Sequence, residues 1–470
     1  MTEVKENKMA TMPINKLLIS MALPMMISML VQALYNVVDS VFVAKYSADA
    51  MTSISLVFPI QSLMIAVAAG LGVGVNALLS RSLGAKDYSN VKKIALNAIF
   101  LAAICSLIFL VVGLFFVKPY MASQTSNSNI AGYGAEYLFI ICCFSFGIFA
   151  EITFERLLQA TGKSIFSMIT QLTGAVINII LDPILIFGLF GAPEMGIAGA
   201  AIATVIGQCA AGTLAIIFNI KFNKEINLNL AKFLPDKELI GKILYIGVPS
   251  ILMASLGSIM VLGINAIISN MNISNVDLPI DDARNTSIAV FGIYFKLQSF
   301  VYMPVFGLNN GMVPIVAFNF GAKNKERMMK TIKLSVVYAF ILLLIGLTIF
   351  QTIPNKLLVP FANESNIDHI IKIGVPALKT ISLSFLVSGF CIICLSVFQS
   401  LGNGVLSMFI AFARQIIILV PVAFLLSLTD SINNVWYAFF IAEIGCSILC
   451  IFAFRAMYNK VIKPLSVDAA

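Results

Sequence analysis

Charge is the scarcest property of this 470-residue sequence. Only 11% of the residues are Asp, Glu, Lys or Arg, whereas 60% are hydrophobic. A soluble domain carries roughly 25% charged residues. The composition therefore excludes an ordinary soluble protein and is typical of a membrane protein.

Histidine is almost missing, and this absence limits the chemistry of the chain. His369 is the single histidine, so no His-containing catalytic triad and no histidine-based metal site can be assembled. Cys391 and Cys394, in "CIIC", have the spacing of a redox or zinc motif. Because their helix has no second pair, we interpret them as packing residues. We expect no catalytic residues, no enzyme activity and no cofactor.

Long apolar runs are what the chain has in abundance. A helix that spans a bilayer needs about 20 mostly apolar residues. The runs between polar breaks predict an all-α polytopic membrane protein with twelve such helices. They lie near 14–43, 51–80, 91–117, 132–160, 164–188, 195–220, 240–269, 286–315, 327–351, 367–400, 405–426 and 434–460.

The basic residues are placed in alternate loops. The chain has 30 Lys and Arg against 22 Asp and Glu, and most of the basic ones precede the first span or follow the second, sixth, eighth and twelfth. The loop "NVDLPIDDARN" on the other side is acidic. By the positive-inside rule we expect both termini to be cytoplasmic. The excess charge thus indicates orientation in the cell membrane and does not indicate nucleic-acid binding.

This placement gives a prediction of topology. In a variant set without other reactive cysteines, Lys232→Cys and Asp281→Cys should be labelled from opposite sides of the membrane, because one lies in the basic linker and the other in the acidic loop. An impermeant maleimide applied to whole cells should reach only the second. Labelling of both from one side would contradict the orientation.

The sequence resembles itself at a spacing of about 240 residues. "LLSRSLGAKDYSNVKKI" corresponds to "VAFNFGAKNKERMMKTI", and "LLQATGKSIFSMI" corresponds to "VFQSLGNGVLSMF". Six spans separate the matching loops, so they fall on the same membrane side. This indicates two six-helix bundles related by a parallel pseudo-two-fold repeat. We predict an N-terminal lobe at 1–221, a cytoplasmic linker at 222–239 and a C-terminal lobe at 240–470.

Motifs in the first half resemble those of a known family. "YNVVDSVFVA", "SRSLGAKD", "LQATGK", "INIILDP" and "GIAGAAIAT" occur in order. With the duplicated pattern they resemble the MATE (multidrug and toxic compound extrusion) transporters, in particular the DinF-like or MepA-like branches. The resemblance covers nearly the whole chain and implies the MATE fold.

Five residues of the first half place oxygen groups at one membrane depth. Asp39, Asp182 and Thr204 lie roughly 6, 9 and 13 Å below one boundary at 1.5 Å per residue, and Asn178 shares a helix face with Asp182. Ala200, one turn before Thr204, could add a carbonyl where its helix opens locally. Because charge inside a membrane is costly, this set predicts a site for Na⁺, or for H⁺ on one carboxylate.

The resemblance implies the same site. MATE members of this branch bind a coupling cation at the positions that Asp39, Asn178, Asp182, Ala200 and Thr204 occupy here. Another branch carries a coupling acid in the seventh helix, where this chain has Gly257. We therefore expect no coupling site of that type in the C-terminal lobe.

Other polar residues of the first span suggest a substrate cavity and a hinge. Gln32, Tyr35 and Asn36 lie within about two turns of Asp39 and could line the cavity or bond between helices. Pro24 lies about four turns below Asp39, where its missing backbone donor makes a kink easy.

Five charged residues suggest ion pairs or a gate. Glu151, Glu155 and Arg156 precede "LLQATGK", and we favour an internal ion pair or gate over substrate contact. Arg414 and Glu443 lie in the last two spans with opposite signs, so we expect a stabilising pair.

Taken together, these patterns predict a cation-coupled multidrug efflux antiporter. It would exchange inward Na⁺ or H⁺ for outward organic, often cationic, compounds by alternating access, and we expect a monomer in the lipid bilayer. A lipid-linked sugar flippase of a related fold is the alternative, but few internal bases (Lys296 and Arg414) are available for a pyrophosphate. A membrane-embedded enzyme is a second alternative, and the lack of a nucleophile–base cluster counts against it.

Overall fold

The structure is a computed structural model that describes residues 7–226, 228–229, 233–276, 278–362 and 367–466. The first and last residues of the chain and part of the predicted linker, including Lys232, lie outside the described residues. Within the described ranges every regular element is a helix, and no strand occurs. The predicted all-α fold class is confirmed.

The described part of the first half forms nine α-helices. They are α1 (Lys8–Thr11), α2 (Ile14–Tyr46), α3 (Ala48–Gly84), α4 (Tyr88–Phe115), α5 (Val117–Gln124), α6 (Ser128–Cys143), α7 (Phe146–Ala160), α8 (Ser164–Phe187) and α9 (Gly196–Phe222). A single 3₁₀ turn follows α8 at Leu189–Gly191.

Ten further α-helices are described in the second half. They are α10 (Lys237–Asn270), α11 (Ile280–Gly321), α12 (Lys325–Thr352), α13 (Pro354–Leu358), α14 (Ile367–Ser382), α15 (Phe385–Ser400), α16 (Gly404–Phe412), α17 (Val420–Ser427), α18 (Ile432–Val435) and α19 (Tyr437–Met457). A π-helical segment, Ala413–Leu419, joins α16 to α17. Another, Tyr458–Ile462, follows α19.

Long apolar helices account for the predicted membrane spans. Ten helical stretches of the described chain are long and apolar enough to cross a bilayer. Two more spans are pairs of shorter helices, α6 with α7 and α14 with α15, bent by 47° and 51°. Counting each pair as one span gives the twelve that the sequence predicts. The bent pairs are the fourth and tenth spans, six apart, as a six-helix repeat requires.

The repeated "GAK" motifs share one backbone conformation. Lys86 and Lys323, the lysines of the two copies, have φ angles of 58° and 54°. The next residue in each copy, Asp87 or Asn324, caps the helix that follows by accepting a hydrogen bond from a backbone N–H. The similarity seen in the sequence therefore extends to the conformation of each turn.

The described chain forms two compact units. The first contains the described residues up to Ile251 together with Asn310–Ala322, and the second contains Leu252–Asn309 and the described residues from Lys323 on. The divisions fall inside α10 and α11, so each of these helices contributes to both units. The boundaries predicted from the sequence, 221 and 240, stay a prediction.

Within the first unit, the glycines of the two "GAK" motifs make a reciprocal close contact. A Cβ atom on Gly84 would lie 1.9 Å from the carbonyl oxygen of Phe318, and one on Gly321 would lie 1.9 Å from the carbonyl oxygen of Arg81. Arg81 also places its guanidinium 4.6 Å from the centre of the Phe320 ring. Only glycine permits α3 and α11 to cross at this separation.

This crossing predicts a stability effect. Gly84→Ala should force α3 and the end of α11 apart, because the new methyl group meets a backbone oxygen that has no room to move. Overpacking of this kind costs about 1–3 kcal/mol, so the purified protein should melt at a lower temperature. Gly132→Ala is the control, since its Cβ would meet no atom within 4 Å. Equal melting temperatures for the two variants would contradict the contact.

Candidate functional site

The site is built on a close crossing of α8 and α9 in the first unit. A Cβ atom on Gly207 of α9 would lie 2.7 Å from the carbonyl oxygen of Gly174 on α8. Near the other end of the contact, a Cβ atom on Gly199 would lie 2.5 Å from the carbonyl oxygen of Leu185. Small residues let membrane helices approach in this way. The side chains between these two contacts are therefore held face to face.

Three polar side chains occupy this interval. The Nδ2 atom of Asn178 donates to Oδ1 of Asp182 and to Oγ1 of Thr204, at 3.3 Å in both cases. Exposure is 2% for Asn178, 0% for Asp182 and 3% for Thr204, so all three are removed from solvent and lipid. The four-residue spacing of Asn178 and Asp182 places both on the α9-facing side of α8, as the sequence predicts.

Helix α2 completes the cluster from a third direction. Asp39 is half-buried, and its carboxyl group contacts the carboxyl group of Asp182. One turn earlier, the hydroxyl of Tyr35 lies near the side chain of Thr204. The first span is thus joined to α8 and α9 through two polar contacts. Tyr35 lies closer to the predicted cation site than the sequence suggests.

Several oxygens of this cluster have no hydrogen-bond donor among the described residues. They are Oδ1 of Asp39, Oδ1 of Asn178 and Oδ2 of Asp182. Buried oxygens are normally paired, since leaving one unpaired costs free energy. Two bare carboxylates in contact also repel one another. A proton or a hard cation between α2 and α8 would both pair the free oxygens and cancel the repulsion. Carboxylate and amide oxygens are ligands that hard cations prefer.

Ala200 departs from the expectation of a locally opened helix. The α9 helix is regular from Gly196 to Phe222, and Ala200 is fully buried within it. Its carbonyl oxygen therefore lies in a continuous helical hydrogen-bond pattern. The role of Ala200 as a cation ligand stays a prediction that requires this turn to open.

The remaining predicted residues of α2 lie along the same helix. Gln32 and Asn36 are exposed, and their assignment to a substrate cavity stays a prediction. Pro24 is buried, and α2 passes through it as one helix. The role of Pro24 as a hinge stays a prediction.

Glu155 has a complete set of polar partners that the sequence did not indicate. Its Oε1 atom accepts from Oγ1 of Thr170 at 2.6 Å, and its Oε2 atom accepts from Nε2 of Gln171 at 2.7 Å. Both donors belong to α8. Glu155 therefore fixes α7 to α8 near the end of α8 that lies far from Asp182.

The expected ion pair of Arg156 is not formed in the described part of the chain. Arg156 donates instead to Oε1 of Gln159 at 2.8 Å and to Oδ1 of Asn310 at 3.0 Å. Its side chain lies against Gly72, where a Cβ atom would approach within 2.8 Å. Glu155 is already satisfied by α8, and Glu151 is half-buried on the same helix. Arg156 thus joins α7 to α11 through the side-chain amide of Asn310.

Arg414 and Glu443 form the pair that their opposite charges suggested. Nη1 of Arg414 lies 2.9 Å from Oε1 of Glu443. Arg414 belongs to the π-helical segment Ala413–Leu419, which gives the eleventh span a wider turn at this point. Nε of Arg414 and Oε2 of Glu443 have no further hydrogen-bond partner within the described ranges.

A second polar cluster lies around the "LQATGK" turn. Lys163 forms an ion pair with Glu225 and donates to Oδ1 of Asn223 at 3.3 Å. Asn7 donates to Oε1 of Glu225 and to the carbonyl oxygen of Thr161, at 3.1 Å each. These contacts fix the segment before α2 onto the first unit.

Lys8 lies beside this cluster. The pKa of Lys8 is lowered, mainly by burial and to a smaller extent by the nearby positive charge of Lys163. The repeated motif drew attention to the turn in the sequence. It gave no sign of Asn7 or Glu225, which lie far from it along the chain.

Fold and site together define a class. The chain is a multi-pass helical membrane protein with a duplicated architecture and two neighbouring carboxyl groups within one unit, one buried and one half-buried. It belongs to the MATE family of membrane transporters, since the family model described as MatE matches residues 24–184 and 284–425. The model matches once in each half, which agrees with the internal repeat. The resemblance read from the motifs is confirmed.

Known proteins resemble this chain over nearly its whole length. It is 30% identical to "Multidrug export protein MepA" of Staphylococcus haemolyticus, over 97% of this chain and 95% of that protein. It is 28% identical to the protein of the same name from Staphylococcus aureus strain MRSA252, over 93% and 92% of the two chains. A solved outward-facing conformation of a multidrug resistance MATE family transporter superposes with a TM-score of 0.89, at 22% identity and 99% coverage of both chains. This last similarity supports the fold.

The ion pair of the second unit gives a prediction of stability. Glu443→Gln should leave Arg414 without a counter-charge, and breaking a buried pair costs about 3 kcal/mol or more. Because the Arg414 side chain is still 20% exposed, we expect a loss near the lower end, visible as earlier thermal unfolding. Glu238→Gln is the control. It removes an exposed pair with Lys242, which contributes at most about 0.5 kcal/mol. If both variants unfolded alike, Arg414 and Glu443 would not stabilise the second unit.

Proposed function

We propose that this chain is a secondary active multidrug efflux antiporter, which exchanges inward Na⁺ or H⁺ for outward organic compounds, often cations. Its relatives are named for multidrug export, and its membership of a transporter family supports transport as its function. The observation that carries the coupling proposal is the contact between the carboxyl groups of Asp39 and Asp182, which come from two different helices.

The coupling step follows from the charge of this contact. Each charge placed within a span costs roughly 2.5–3.5 kcal/mol, and two like charges add their mutual repulsion. A proton or Na⁺ at the free oxygens of Asp39, Asn178 and Asp182 would cancel the repulsion and hold α2 against α8. Loss of that cation would leave two carboxylates in contact and favour separation of the helices. The site would thus have two arrangements, and the bound cation would select between them.

Helix α2 would transmit this change to the substrate. Asp39, Asn36, Tyr35 and Gln32 follow one another along it, so a displacement of Asp39 moves the side chains that we assign to the cavity. Pro24 supplies a position where bending costs little, because proline gives up one helical hydrogen bond in any case. In this mechanism cation binding bends α2 at or above Pro24, shrinks the cavity and expels the substrate. Each ligand would weaken the binding of the other by the same factor.

The second unit would take no part in cation coupling. Gly257 stands where another branch of the family has an acid, and Arg414 already neutralises Glu443. The flippase alternative is not favoured by the relatives. It would also require free internal bases, whereas Arg414 is paired and Lys296 lies near the ring of Phe361.

The proposed setting is the cell membrane, with both termini cytoplasmic. We propose a monomer that needs no cofactor beyond its coupling ion. Cations that enter from the outer side and move inward would then drive the outward movement of substrate. The arrangement of basic loops supports this orientation.

Transport in reconstituted vesicles tests the proposal. Under a Na⁺ gradient alone or a pH gradient alone, the natural chain should move a fluorescent organic cation, and the gradient that works identifies the ion. Asp39→Asn should reduce gradient-driven transport at least tenfold and weaken substrate binding, because the amide imitates the discharged carboxyl. Asp49→Asn makes the same chemical change near the start of α3, away from the cluster, and should transport normally.

A further variant tests the assignment of coupling to the first unit. Glu443→Gln, compared at equal amounts of folded protein, should keep its ion dependence even if its rate falls. The proposal fails if Asp39→Asn retains the affinity and the gradient-driven transport of the natural chain. Loss of ion dependence in Glu443→Gln would contradict the restriction to one unit.

A further inference from the structure

Half of the cysteines in this chain meet in the second unit. The sequence contains 8 cysteines. Cys391 and Cys394 are on α15, and Cys446 and Cys450 are on α19. Spacings of three and four residues place each pair on one face of its helix. The second pair, which the "CIIC" motif lacked in its own helix, is thus supplied by another helix much further along the chain.

The sulfur atoms are arranged closely enough to share one ion. The Sγ atoms of Cys391, Cys446 and Cys450 all lie within 4.8 Å of one another. Cys446 and Cys450 are 4.0 Å apart, and Cys394 lies within interaction range of Cys450. With metal–sulfur bonds of about 2.3 Å, two sulfur atoms on one ion lie about 3.8 Å apart in tetrahedral coordination and about 4.6 Å apart in linear coordination. The observed spacing needs little adjustment to match this.

The surroundings of the thiols favour a soft ion of low charge. Cys391, Cys446 and Cys450 are each fully buried, and Cys394 is 2% exposed. The ligand group contains sulfur and no carboxylate, and thiolates select Cu⁺ and similar soft cations. Four thiolates around Zn²⁺ would leave two negative charges in a low-dielectric interior, whereas two thiolates around a monovalent ion leave one. The nearby guanidinium of Arg414 is paired with Glu443, so this ion pair adds no net charge beside the thiols, and a site with one negative charge is less costly there than a site with two.

We propose that Cys391, Cys446 and Cys450, supported by Cys394, form a binding site for a soft monovalent cation of the Cu⁺ or Ag⁺ class. Two thiols release their protons to the solvent as the ion binds, and its oxidation state does not change. The bound ion connects α15 to α19 and so stabilises the second unit. None of the residues assigned to cation coupling takes part, so this site does not depend on the proposed antiport.

Copper titration of the purified full-length chain tests the site. The protein in detergent, kept free of oxygen, competes with a chromophoric Cu⁺ chelator. The natural chain should bind one equivalent of Cu⁺ and show near-ultraviolet absorption from thiolate–copper bonds. The double variant Cys446→Ser with Cys450→Ser should lose both. Cys142→Ser with Cys143→Ser is the control, because it removes two cysteines of α6 in the first unit and should bind as the natural chain does.

Two measurements keep the test decisive if the serine variant folds poorly. X-ray absorption by copper on the natural chain should show sulfur neighbours only, at about 2.3 Å. Cu⁺ should also raise the melting temperature of the natural chain and of the Cys142 and Cys143 control, since a ligand of the folded state stabilises it. Nitrogen or oxygen neighbours, or loss of binding in the control, would overturn the proposal. So would a natural chain that binds no Cu⁺.

Discussion

The contact between Asp39 and Asp182 is the constraint on which the first unit depends. A carboxyl pair inside a membrane is unfavourable unless something discharges it. The carboxyl pair lies at a point where glycine allows α8 and α9 to approach closely at both ends of their contact, and this places Asn178, Asp182 and Thr204 face to face. Helix α2 brings Asp39 from outside this pair of helices. A change in the free energy of the carboxyl contact therefore alters the preferred position of α2. The same helix carries the residues assigned to the substrate.

The duplication has preserved architecture more than chemistry. The bent fourth and tenth spans and the two "GAK" turns have the same form in both halves. The polar interiors differ: the first unit holds acids, amides and hydroxyls, and the second holds an ion pair beside a group of thiols. Backbone geometry is set by glycine, proline and caps, which the repeat retains. Side-chain chemistry is free to diverge once the helices pack.

The sequence predicts the helices and the main cluster because both leave local signals. Apolar length marks each span, and the polar residues Asp39, Asn178 and Asp182 stand out in apolar runs. Partnerships between distant helices leave no such signal. A membrane helix is apolar on every side, so its pattern does not show which face meets a neighbour. This is why Arg156 was expected to pair with a nearby glutamate and instead reaches Asn310, and why Cys446 and Cys450 were not connected with Cys391.

The signs of the buried charges distinguish the two units in function. Arg414 and Glu443 neutralise each other, so their pair has no net charge for an additional cation to compensate. Asp39 and Asp182 have the same sign and keep free oxygens in the described structure. In the proposed mechanism a proton or metal cation stabilises such a pair, and the preferred geometry changes when that cation leaves. An exchanger needs a site whose occupied and empty states differ in this way. We therefore assign coupling to the first unit, where like charges meet, and a structural role to the second, where opposite charges meet.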